Sequence, residues 1–263
     1  MPGDSNIVYL LGSVHALRWQ DYPLPKAYTD VYQDSDRLVM EIDLDDLDIA
    51  TIVVEMMKRA TDGSGPTIGE LFSEEERAQM CEQAGPLGQN PAALDEMEPW
   101  FVGMQMAQLQ MKELGFHEGL GIEMHYLKRA YRDKKTIDGL ETFAQQLDFF
   151  DTLPVDVQKE FLEVTFDDID HQGQLILNMV DAWRAGDAKS MERYALEDFE
   201  PGSPLYDVLL VNRNRSWIAP IKKLLDSKEN YLVIVGSMHL VGDDSVVKML
   251  RDDGLTVTRY QQN

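Results

Sequence analysis

Two ten-residue segments at opposite ends of the chain carry histidine in the same setting. Residues 6–15 read NIVYLLGSVH and residues 230–239 read NYLVIVGSMH: asparagine, five apolar residues, then Gly-Ser-x-His in one register. Of five histidines in the chain, His15 and His239 close this cassette. The apolar run predicts a buried strand and the glycine a tight turn. The histidine then emerges at the strand's carboxyl edge, where open α/β sheets bind ligands. Neighbouring parallel strands lie about 4.8 Å apart, close enough for two such imidazoles to meet on one ion or one substrate group. Singly, each would read as an ordinary turn histidine satisfied by its neighbours; the matched pair argues for a shared site.

Glu41 ends the apolar stretch LVM of a second strand. Added to the two histidines, it completes a His-His-carboxylate set that suits zinc, manganese or cobalt, with Glu41 either a ligand or the base for a metal-bound water. Arg213 and Asn214 interrupt the apolar segment LLVNRNRSW. Such an arginine either pairs with a carboxylate or clamps a developing oxyanion. Glu123 in GLGIEMH and Glu141 in TIDGLE are further candidate catalytic carboxylates, with a surface charge or a structural hydrogen bond as the plainer alternative. His117, His125 and His171 have no matched partner and read as surface residues. His117-Glu118 is followed by GLG, so no HExxH is present; GxSxG, Walker and GxGxxG motifs are also missing. A thermolysin-like zincin, an α/β-hydrolase, a P-loop enzyme and a Rossmann dehydrogenase are thereby disfavoured.

Several elements must position these groups. Strands are expected at 7–11, 37–43, 231–235 and 255–260, with a short one within 134–141. Helices are expected over 25–35, 47–60 and 243–252, and along most of the middle; Thr67 with Glu70 reads as a capping box opening one long helix. The stripe Met97, Trp100, Phe101, Met104 and Met111 has helical spacing and reads as core rather than as a groove. The fold class is therefore α/β: a central mixed sheet built from N- and C-terminal strands, with a large helical insertion or lid. One domain is expected over 1–263, its helical middle running from about 67 to 226.

Composition narrows the partners. With 47 acidic and 24 basic residues the formal charge is -23, which repels polyphosphate and argues against nucleic acid. No apolar run reaches the roughly 18–20 residues of a membrane span, so no transmembrane segment is expected. The single cysteine, Cys81, excludes an intramolecular disulfide framework and a Cys-based zinc site. The start MPGDSNIVYLLG has neither a basic n-region nor a cleavage site, and so abrupt a first strand suggests a chain trimmed of an export signal.

The residues also match a known pattern: YLLGSVHAL at the start, Pro25 to Tyr28, LVMEIDL around Glu41, and Pro99-Trp100. The match continues through GIEMH at 121–125, GLETFAQQL at 139–147, NRN at 212–214, VGSMHLVG, and GLTVTR at 254–259. Together these resemble the TraB/PrgY/GumN family, which includes the Tiki metalloproteases that cleave Wnt proteins. The resemblance implies a fold like that of erythromycin esterases and haem-binding ChaN proteins. It also implies a site formed by His15, His239, Glu41 and Arg213, and a periplasmic, secreted or membrane-anchored location. The resulting expectation is a divalent-metal-dependent hydrolase (Mn, Co or Zn), a peptidase acting on a peptide or protein substrate. The alternatives are a metal-free esterase-like hydrolase with a histidine base oriented by Glu41, and a non-catalytic binder of haem or a signalling peptide.

Overall fold

A computed structural model describes residues 1–44, 48–83, 90–166, 169–195, 197 and 201–260. The chain forms two compact units: Met1–Asp46, Gly115–Thr142 and Leu175–Asn263 make the first, Leu47–Leu114 and Phe143–Gln174 the second.

The first unit is built on strands β1 (Val8–Ser13), β2 (Arg37–Ile42), β3 (Ile137–Glu141) and β4 (Tyr231–Gly236). They form one four-stranded sheet in the order β1-β4-β2-β3. The two cassette strands are therefore immediate neighbours, paired from Val8↔Tyr231 to Ser13↔Gly236. Every pairing is parallel, which corrects the expected mixed sheet. The apolar runs explain this: β4 is buried along its whole length, as a strand with both faces covered must be. Val8, Val39, Val233 and Val235 pack with Trp217, Ile221, Val246 and Leu250 from the helices Asn212–Leu224 and Val246–Asp252.

The expected strand over 255–260 does not form. Leu255 and Val257 pack against the sheet's core, so the apolar alternation is used. The backbone groups, however, are claimed elsewhere: Leu255 N–H donates to Leu250 O, and Arg251 donates to Val257 O. Arg259 donates to Gly186 O and Tyr260 meets Tyr9 edge-on, leaving the segment a side-chain-anchored tail.

The cassette asparagines pin the opposite edge of the sheet. Asn6 Nδ2 donates to Leu224 O and Glu229 O, each at 2.8 Å, while Asn230 Oδ1 accepts from Ile7 N–H at 2.8 Å and its Nδ2 donates to Asp34 O at 2.9 Å. One end of the repeated sequence thus fixes the strand pair, and the other delivers the histidines.

In the second unit, Trp100 and Phe101 are buried with Ala60 and Leu147, and Met97 and Met104 pack on them, so these four residues of the expected stripe are core, while Met111 is half-buried outside that cluster. The capping box holds, with Thr67 N–H donating to Glu70 Oε2 at 3.0 Å. The helix it opens covers only Ile68–Leu71, because Ser73 and Glu76 form a second such box, starting Glu74–Gln83. Among the described residues no helix is long and apolar enough to cross a membrane.

Asn6→Ala removes the two hydrogen bonds that this buried side chain donates to backbone carbonyls. It should lower unfolding stability by about 1–3 kcal/mol, read from urea midpoints. An unchanged midpoint would mean that the asparagine does not hold the strand pair.

Candidate functional site

Parallel pairing lays the ends of the four strands along one edge, and the groups singled out in the sequence converge there. Ser13 lies opposite Gly236, and Ile42 opposite Glu141. Glu41 and Glu141, at the ends of β2 and β3, are both buried. Arg213, on the helix Asn212–Leu224, reaches between them. Its Nη2 donates to Glu41 Oε2 at 2.7 Å and to Glu141 Oε2 at 2.9 Å, and its Nε lies 3.2 Å from each Glu141 oxygen. Nη1 donates to Leu209 O at 3.4 Å and faces His239 Nε2 at 3.3 Å. A guanidinium has five N–H donors, and each direction meets a protein acceptor. In this arrangement no guanidinium donor is directed at an incoming oxyanion.

His239 sits in the 3₁₀ turn Ser237–Leu240, only 4% exposed, with its ring centroid 4.5 Å from that of Trp217. Asn214 Nδ2 donates to Asp244 O at 2.7 Å, which leaves Asn214 Oδ1 to face His239 Nδ1 at 2.6 Å. Nδ1 therefore carries the proton and the ring's lone pair is on Nε2. Burial, together with Arg213 and His15, pushes this imidazole down to about 3 against the pull of Glu41, so it is neutral.

His15 follows β1 without a helical turn. Its Nδ1 lies 2.9 Å from Glu123 Oε1, an oxygen that also accepts from Ser13 Oγ. Glu123 raises this imidazole to about 9, but the side chain is 69% exposed, so water screens that attraction. Glu123 stands in the first turn of the helix Ile122–Asp133, where a carboxylate is favoured by the helix dipole. Gly121 lets that helix abut the β1 turn: a Cβ there would lie 2.0 Å from His15 O, while Ile122 N–H donates to Val14 O.

Gly236 marks where the two histidines meet. A Cβ added to it would lie 3.3 Å from Glu41 Oε1, 3.4 Å from His239 Cδ2 and 3.6 Å from His15 Nε2. Both rings and the carboxylate thus border the position that glycine leaves open, although among the described residues no three His, Cys, Asp or Glu side chains stand close enough together to hold an ion as placed. Glu41 Oε1 accepts from Gly236 N–H at 2.7 Å and lies 3.9 Å from His239 Nε2. Burial works to raise Glu41, yet Arg213, the two histidines and this N–H hold it near 2, so it is charged.

The structure therefore brings together His15, His239, Glu41, Glu141, Arg213 and Asn214, with Glu123 behind His15. Of the remaining histidines, His117 and His171 are exposed, whereas His125 is half-buried between Tyr22 and Tyr126, a packing role that corrects its reading as a surface residue. Sequence reasoning passed over Ser13 and Trp217. Trp217 Nε1 donates to Glu141 Oε1 at 2.9 Å, and the Arg213 guanidinium carbon lies 5.0 Å from its ring centroid. The signal was available, since residues four apart on a helix share a face and Trp217 is four beyond Arg213.

A sequence model of the TraB/PrgY/gumN family matches residues 2–259. Two proteins, each named Uncharacterized protein YbaP, from Escherichia coli (strain K12) and Shigella flexneri, are 24% identical over 251 residues, covering 95% of this chain and 90% of theirs. No solved structure matches.

The two carboxylate–cation contacts differ in burial and should differ in worth. Glu141→Ala leaves Arg213 short of a partner and the Trp217 N–H without its acceptor, and should cost about 2–4 kcal/mol. Glu123→Ala gives up a contact to a solvated His15 and the hydrogen bond from Ser13, and should cost about 1–2 kcal/mol. Urea unfolding of both variants tests the order; equal costs would contradict the assignment of Arg213 to a dry centre.

Proposed function

The chain belongs to the TraB/PrgY/gumN family, and we propose that it is a hydrolase, a peptidase, whose His15, His239 and Glu41 hold a divalent ion. The observation that carries this reading is the paired histidine geometry around Gly236. Each Nδ1 is tied to a side-chain acceptor, Glu123 or Asn214, so Nε2 is the ring nitrogen that would bind the ion: it carries the lone pair in neutral His239, and in His15 it does so once the proton favoured by Glu123 is lost. Metal-ligating histidines are held by such outer partners. Two imidazoles and a carboxylate suit Mn, Co or Zn, and three protein donors leave a position open, as catalytic sites do. When bound, such an ion supplies Lewis acidity and a nucleophile available at neutral pH.

The chain's own residues do the positioning. Gly236 N–H and Arg213 orient Glu41, which suits a charged ligand. Asn214 and Glu123 set the two tautomers. Glu141 and Trp217 hold Arg213 beside His239, at a place where a tetrahedral oxyanion would form. The finer kinship of fold with erythromycin esterases and ChaN proteins belongs to the same proposal, supported by a parallel sheet that carries its site on the carboxyl edge.

Two measurements check this reading. Peptide-library cleavage should vanish on chelation and return with Mn²⁺, Co²⁺ or Zn²⁺; full activity in protein shown metal-free by elemental analysis would leave a histidine-base mechanism instead. Gly236→Ala fills the space between the rings while keeping a backbone conformation open to any residue (φ -49, ψ 135). It should fold with a change of about 1–2 kcal/mol and lose metal binding, and retained metal affinity would count against the shared site.

A further inference from the structure

We propose that Arg213 is a resident stand-in for the metal ion, competing with it for the single lone pair on His239 Nε2 and retreating onto Glu141 and Trp217 when the ion binds. The inference rests on the metal reading of the site. A neutral imidazole has one proton and one ring lone pair. Asn214 Oδ1 fixes the proton on Nδ1, so Nε2 has one lone pair to give, and Arg213 Nη1 faces it at 3.3 Å. A zinc-type ion would sit about 2.0–2.1 Å from that nitrogen, and the same lone pair cannot serve both. Glu41 is contested in the same way, since its Oε2 accepts from Arg213 Nη2 at 2.7 Å.

The surroundings are built for both positions. Without an ion, Glu41 and Glu141 are buried carboxylates that need a cation, and Arg213 lies between them. With a divalent ion on Glu41, charge repulsion drives the guanidinium away. Its second berth already exists in three contacts to Glu141 of 2.9–3.2 Å and the indole face of Trp217. Slack for the movement comes from Asp207–Val211, a π-helical turn directly before Asn212, a wide turn often found at functional sites. The shift also releases an Nη1 N–H from His239. A donor spent in the metal-free protein is thereby directed at the position proposed for the oxyanion, so the ion arms the clamp.

The test is Co²⁺ titration of metal-stripped protein, followed by the visible absorption of the coordinated ion, for the parent, Arg213→Met and Arg213→Lys. Both variants should bind Co²⁺ more tightly than the parent, by about tenfold or more, the worth of one charge-assisted hydrogen bond no longer broken. Equal or weaker binding in the variants, with a Co²⁺ band in the parent, overturns the competition and leaves the metal reading standing. No band in any of the three proteins overturns both. Should the variants fail to fold when metal-free, Zn²⁺ present during refolding should recover them, because it replaces the missing cation between the carboxylates; failure of that rescue also overturns the proposal.

Discussion

The ion pairs of Arg213 with Glu41 and Glu141 are the constraint on which the centre depends. A parallel sheet with this register sets two carboxylates at adjacent strand ends, and like charges so close would force one of them to stay protonated. Arg213 removes that conflict, and Glu41 stays ionised well below the usual carboxylate range. The helix that brings Arg213 in also brings Asn214 beside it and Trp217 one turn on, so one short segment supplies the cation, the partner of His239 and the donor to Glu141. A buried cluster of this kind is a poor source of stability, because well-packed apolar residues of similar volume serve as well or better. Stability alone therefore does not account for its composition.

Much of this arrangement is legible in the sequence. The cassette repeat identifies His15 and His239 as partners, and the structure shows why it works: identical spacing from asparagine to histidine gives β1 and β4 the same length and register. Glu41 is visible because a carboxylate closing an apolar run must stand at a strand end. The all-parallel sheet was less visible. The segment 255–260 has strand-like alternation, but Leu250 and Arg251 claim its backbone at Leu255 and Val257, and Arg259 is anchored through its side chain to Gly186. Gly121 was invisible for a different reason: its need for space arises from the His15 carbonyl, 106 positions earlier in the chain (121 less 15). Local pattern cannot report a contact made between distant segments.

The same limit applies to Arg213. An arginine in an apolar stretch reads equally as an ion pair or as a clamp, and sequence alone has no means of counting its donors. With the count made, the two readings stop being alternatives. All five N–H groups are engaged, so a clamp requires that one of them be surrendered, and the contact to neutral His239 gives up less than either carboxylate bond would.

The two cassettes are symmetrical in sequence but not in environment, and the difference follows from what lies behind each ring. His15 is backed by a carboxylate and open to water, which makes it the more basic ring and the one a solvated ligand meets first. His239 is backed by an amide, stacked on Trp217 and dry, which keeps it neutral and fixed. Both imidazoles nevertheless have Nδ1 consumed, and at Gly236 His15 presents Nε2 while His239 presents Cδ2, with its Nε2 facing Arg213. A repeat thus supplies two donors of one geometry, while the helices bearing Glu123 and Asn214 give them different affinities for a proton. For the metal centre proposed above, one rigid neutral donor and one accessible basic donor would allow release as well as retention of an ion.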